Sequence, residues 1–178
     1  MSEGLPVLVA GIGNIFLGDD AFGVEVAQRL QQRGRLDEGV RVIDFGIRGY
    51  DLAYALLEQH LATVLIDATP RNEPPGTLTV IEADVDAPTL DPAAAPDHGQ
   101  GAFAGHQMTP AAVFQLVHTL GGHPGRVLVV GCEPETFGDP DVGRMGLSDA
   151  VAAVVPIAVE TVERLVAELT GSGVAAGA

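Results

Sequence analysis

The chain has 178 residues, 47% of them hydrophobic, with 24 acidic and 9 basic residues and a formal net charge of −15. Such a length suits one domain that buries roughly 70% of its unfolded surface, and the apolar content argues against a disordered body. Every basic residue is Arg, and no basic cluster occurs, so nucleic acid and anionic membrane surfaces are poor partners.

Cys132 is the sole cysteine, so no intrachain disulfide can form, which fits a reducing cytoplasm. The start, MSEGLPVLVAGIG, lacks the basic n-region of a signal peptide. No apolar stretch reaches membrane-spanning length without charge, Gly or Pro.

Residues 5–10 (LPVLVA) form a short continuous apolar run that predicts a buried strand. From residue 20 to 33, apolar side chains recur at Phe22, Val26, Ala27 and Leu30, a helical spacing. Residues 40–45 predict a second strand, 50–58 a second helix, and 62–67 (ATVLID) a third buried strand ending on a carboxylate. The Thr/Val alternation of 76–83 predicts a strand near a sheet edge.

Residues 84–105 hold Pro88, Pro92 and Pro96 without periodicity and read as a long loop, a kind of segment that is often functional. Thr109 and Pro110 supply an N-cap and an N1 proline for a helix to about residue 120. Residues 126–131 (RVLVVG) predict the last central strand. Ser148 caps a final helix to about residue 169 with Pro156 inside it, and 171–178 reads as a disordered tail after a domain spanning 1–170. Alternating strands and helices predict an α/β fold: three layers, a twisted, mainly parallel sheet, and helices on both faces. Sites in such sheets form outside the carboxyl ends of the strands.

The stretch GIGNIFLGDDAFGVEV, residues 11–26, admits two chemistries. A dinucleotide fingerprint needs G-x-G-x-x-G, but Phe16 occupies the third glycine position. Asp19 and Asp20 also stand where a pyrophosphate would sit and would repel it. Asp19 reads as an N-cap. Asp20 reads differently once the other ends of the sheet are considered. Asp67 closes the third strand in the same layer, and His106 precedes the helix that begins at Pro110. Each alone is a cap, a turn former or a hinge residue. Together, two carboxylates and an imidazole make a first shell for a transition metal with open positions.

His98 competes with His106 but lies in the freest part of the loop; His60, His118 and His123 lie away from this edge. Glu133 and Glu135 follow the last strand and reach the same end. Cys132 has no identifiable His partner and reads as a small buried residue. The H-E-x-x-H and G-x-S-x-G signals of self-contained zinc and serine hydrolases are absent.

The ordered series GIGNIFLGDDAFGVEVAQRL, VLIDA, PPGTLTVIE, GHQM, VVGCEPE and GLSDAV, over roughly residues 6–168, resembles the [NiFe]-hydrogenase maturation endopeptidases. The resemblance implies a five-stranded twisted sheet between helices. It implies removal of a short C-terminal extension from the nickel-loaded precursor of the hydrogenase large subunit. The family's metal-contacting triad falls on Asp20, Asp67 and His106, with Asp20 or Asp67 as the base toward water. The nickel then comes with the precursor, and no tightly bound organic cofactor is expected.

Arg48, in FGIRGYD, departs from the family's Gly-Thr-rich turn and is a candidate to face the cleft and pair with a substrate carboxylate. With Glu133 and Asn14 it completes the candidate substrate-binding set. With no apolar stripe left over for an interface, the chain is expected to be a cytoplasmic monomer. The rival reading is a non-enzymatic, nickel-dependent maturation chaperone that binds the same precursor.

Overall fold

The computed structural model describes residues 5–87 and 109–172. Strand β1 (Val7–Ile12) runs into a 3-10 turn (Gly18–Ala21) and helix α1 (Phe22–Arg33). Then come β2 (Val40–Gly46), α2 (Gly49–Leu57), β3 (Ala62–Ala68), β4 (Leu78–Glu82), α3 (Pro110–Thr119), β5 (Val127–Cys132) and α4 (Asp149–Thr170). The sheet order is β2-β1-β3-β5-β4. Its first four strands are parallel, and β4 pairs antiparallel with β5 at the edge. The predicted α/β class and five-stranded, mainly parallel sheet are therefore observed.

β1, β3 and β5 are apolar on both faces because both faces are covered. On one face Val7, Val9, Val64, Ile66 and Val130 pack with Phe22, Val26 and Leu30 of α1 and Val155, Val159 and Val162 of α4. On the other, Leu8, Ala10, Ile12, Leu65 and Val129 pack with Leu52 and Leu56 of α2 and Val113 and Val117 of α3. Edge strand β4 is half-exposed at Leu78 and Thr79 and exposed from Val80 to Glu82. Thr109 and Ser148 cap α3 and α4 as expected, accepting from the Ala112 and Val151 amides. Pro156 lies inside α4. No helix among the described residues is long and apolar enough to cross a membrane.

The glycines of the opening stretch serve packing and turn geometry. A Cβ on Gly11 would lie 2.3 Å from the Gly23 carbonyl oxygen, and one on Gly23 would lie 2.1 Å from that of Ile66. So α1 rides directly on the backbones of β1 and β3. Gly13, at φ +142°, sits where a Cβ would meet the Asp20 carbonyl oxygen at 1.8 Å. The paired glycines let the 3-10 turn fold back over the end of β1, and that turn delivers Asp20.

Candidate active site

The chain leaves β1 toward α1, with β2 on one side and β3 on the other, so β1/β3 is the point where the connections diverge. Ligand sites of open α/β sheets form outside such a point. Here a pocket of about 600 Å³ opens at the carboxyl ends of the strands. Asp20, from the turn after β1, and Asp67, near the end of β3, both line it. Its walls are otherwise mostly apolar: Ile12, Leu17, Ile47, Leu52, Val113 and Phe137 are among them.

Asp20 is fixed by its own loop, its Oδ2 accepting the Asn14 amide N–H at 2.8 Å. The Asn14 side chain in turn accepts the Phe16 amide at 2.9 Å, which shapes the turn between strand and 3-10 segment. The amide a phosphate would need is thus already engaged by a carboxylate, which disposes of the dinucleotide reading. Asn14 is buried, with 5% exposure, and is not among the residues lining the pocket; its backbone amide positions Asp20.

Asp67 lies on the α2/α3 side of the sheet by the alternation that places Leu65 there. Loss of hydration pushes its carboxyl well above the usual range; the charge of Asp20 adds to the effect, and a hydrogen bond to the Ala68 backbone opposes it. Two carboxylates that influence each other in a mostly apolar pocket have the chemistry to exchange a proton with a substrate or to engage a cation brought from outside.

His106 and His98 lie outside the described residues. Among the described residues no group of three or more His, Cys, Asp or Glu is arranged to hold a metal ion. His60 sits between α2 and β3, at the opposite end of the sheet. His118 and His123 meet Val85 and Asp86, away from the pocket.

Three expectations are corrected. Asp19 caps neither helix: neither N-cap position, Leu17 nor Ala21, has a side-chain cap. Its carboxylate is fully buried and reaches across the fold, accepting the amides of Glu135 (2.8 Å), Thr136 (3.0 Å) and Ser148 (2.7 Å) and the Ser148 hydroxyl (2.9 Å). It pins the turn that carries Asp20 to the loop between β5 and α4.

Arg48 does not line the pocket. Its guanidinium donates to the carbonyls of Phe45 (3.2 Å) and Asp44 and pairs with Asp51 at 3.3 Å, so its own turn satisfies it. Its neighbours Ile47 and Gly49 line the pocket in its place. Glu133 is buried against the connection from β3 to β4, where its Oε2 takes the Arg71 amide at 2.6 Å; it does not line the pocket. Glu135 contributes its backbone amide to Asp19. Cys132 is fully buried, and its thiol is pushed up to about 12 by burial and by the charges of Asp19 and Glu133, so it is no nucleophile.

The family model described as hydrogenase maturation protease matches residues 24–165. The chain is 31% identical to the hydrogenase expression/formation protein HupD of Rhizobium leguminosarum bv. viciae, over 89% of this chain and 73% of that protein. It is 29% identical to the hydrogenase 2 maturation protease of Escherichia coli, over 96% of this chain and 94% of that protein. The solved structure of the E. coli hydrogenase maturating endopeptidase HybD superimposes with a TM-score of 0.69 at 27% identity, covering 95% and 94% of the two chains.

Proposed function

This chain belongs to the hydrogenase maturation protease family, and from that premise we propose that it removes a C-terminal extension from the nickel-loaded precursor of a [NiFe]-hydrogenase large subunit. The family assigns an endopeptidase role in hydrogenase maturation. The observation that carries the finer reading is the convergence of Asp20 and Asp67 in one pocket at the β1/β3 divergence. Nickel is here part of the substrate.

In this reading Asp20, Asp67 and His106 contact the precursor's nickel, which sets the scissile bond against the two carboxylates. Asn14 holds Asp20 at its fixed angle throughout. One carboxylate takes a proton from the attacking water as its oxygen bonds to the scissile carbonyl carbon, and that proton passes to the amine nitrogen as the C–N bond breaks. This makes the protein an aspartic-type hydrolase in its proton chemistry. The apolar walls keep bulk water from the pair and strengthen its electrostatic hold on a cation. The enzyme works as a cytoplasmic monomer without an organic cofactor.

The test is intact-mass analysis of the precursor after incubation with the protein, in nickel-loaded and nickel-free form. Release of one C-terminal fragment from the loaded form alone is the expected result. Tight binding with no change in mass would replace the protease by a maturation chaperone; equal cleavage of both forms would remove nickel from the mechanism.

A further inference from the structure

Large apolar side chains stand in water around the mouth of the pocket. Ile15, in the β1 loop, is 43% exposed; Ile47 and Tyr50, at the turn into α2, are 48% and 66% exposed. Val142 and Met145, in the loop before α4, are 77% and 67% exposed. All five come from segments that follow the carboxyl ends of β1, β2 and β5, the edge that holds the pocket.

Those segments are tied to one another. The Gly13 amide donates to the Gly46 carbonyl at 3.0 Å, joining the first loop to the second. The Arg144 amide donates to the Phe16 carbonyl at 2.7 Å and the Gly18 amide to the Arg144 carbonyl at 2.9 Å, joining the first to the third. Asp19 fastens the same turn to the start of α4. The five side chains are therefore carried on a braced rim. Isolated exposed apolar residues need no explanation, but a set gathered round a binding pocket marks a surface that another macromolecule covers.

We propose that Ile15, Ile47, Tyr50, Val142 and Met145 form a docking collar for the folded body of the precursor protein whose extension enters the pocket. The occupant follows from continuity: Ile47 belongs to both collar and pocket wall, so whatever chain delivers a segment to Asp20 and Asp67 rests its adjoining surface on the rim. A second copy of this chain seated there would close the pocket against substrate. The inference rests on the protease reading above and adds that recognition extends beyond the cleaved peptide to the protein that carries it.

The test compares the wild type with the double variant Val142→Asp/Met145→Asp, both changes lying in exposed loop positions. Ile157→Asp, a 54% exposed position on α4, is the control. Two readouts are taken: steady-state cleavage of the nickel-loaded precursor, and binding of uncleaved precursor to each protein without turnover. The collar variant should raise KM and weaken binding at least tenfold with kcat nearly unchanged, while the control matches wild type. Wild-type KM and binding in the collar variant would overturn the collar. So would a wild type that self-associates and becomes monomeric on the double substitution. If the wild type binds precursor but does not cut it, the protease reading falls, and the binding comparison still decides the collar.

Discussion

Replacing Asp19 by Asn tests the internal brace of the site. The carboxylate is fully buried and accepts four hydrogen bonds, three from backbone amides and one from a hydroxyl. The isosteric amide keeps one acceptor oxygen. Its best placement is at Oδ2, where it still receives the Glu135 and Thr136 amides and the Ser148 hydroxyl. The –NH2 then points at the Ser148 amide, which loses its acceptor and meets another donor. A hydrogen bond to a charged group contributes ~1.5–3 kcal/mol, and the three retained bonds weaken from charge-assisted to neutral. Removal of a buried charge offsets part of this. The net loss works out at roughly 3 kcal/mol, which for a chain of this size lowers Tm by about 6–12 °C. Thermal and urea unfolding followed by circular dichroism measure the change. Faster amide hydrogen exchange should be confined at first to residues 133–148 and the 3-10 turn. An unchanged or higher Tm would show that the buried charge costs more than its four donors return, and would refute the brace.

Three further outcomes follow from the same geometry. Gly23→Ala sets a methyl 2.1 Å from the Ile66 carbonyl oxygen and 2.3 Å from that of Ile12, so overpacking should cost about 3 kcal/mol or more, whereas Gly34→Ala, with nothing within 4 Å, should cost only ~1–2 kcal/mol for its positive φ; similar urea midpoints for the two would contradict the close approach of α1 to the sheet. Asp67→Asn should stabilise the metal-free protein increasingly as pH rises. Burial raises the native pKa above that of the unfolded chain, so stability is full below about pH 4 and is lost as pH climbs through the native value. Unfolding scans from pH 5 to 8 in chelator would show a widening gap over wild type, and a constant gap would count against it. The Cys132 thiol, held at about 12 and fully buried, should resist a thiol reagent at pH 8 in the native state and react at once in denaturant; fast native labelling would show that the end of β5 is open.

The fold was readable because its strands announce themselves. A strand covered on both faces is mostly apolar, and β1 and β5 are continuous apolar or glycine runs ending in Ile12 and Cys132, while β3 departs only at Thr63 and Asp67; β4 showed its edge position in its Thr/Val alternation. The expected first strand, 5–10, runs instead over Val7–Ile12, since Gly11 continues the strand where α1 presses on it. The helix expected from residue 20 begins at Phe22 after a 3-10 turn, because that turn is stitched to Thr136 and Arg144, far along the chain. Of the loop expected over 84–105, only residues 84–87 are among those described.

The site was legible in part for a similar reason. Asp20 and Asp67 could be paired because each follows a strand of one parallel sheet, and all such ends lie on one edge. Asp19 could not be read, since its partners stand 116 to 129 residues away and no local pattern points to them. Arg48 was misjudged because a charged residue in a site-facing turn gives no sign that carbonyls of its own turn will take its guanidinium. The apolar pocket wall was missed for a plainer cause: Ile12, Leu52 and Val113 follow the same periodicity as core residues and differ from them only in where the layer stops.

The most direct measurement is kcat for release of the C-terminal fragment from nickel-loaded precursor by Asp20→Asn and Asp67→Asn, each shown to be folded and to bind precursor. Asn keeps the shape of each side chain but cannot accept a proton as carboxylate does. A fall of at least a hundredfold is expected for one or both variants, in line with the usual contribution of a positioned base, with precursor still bound. Wild-type kcat in both would contradict it and place the chemistry elsewhere in the chain.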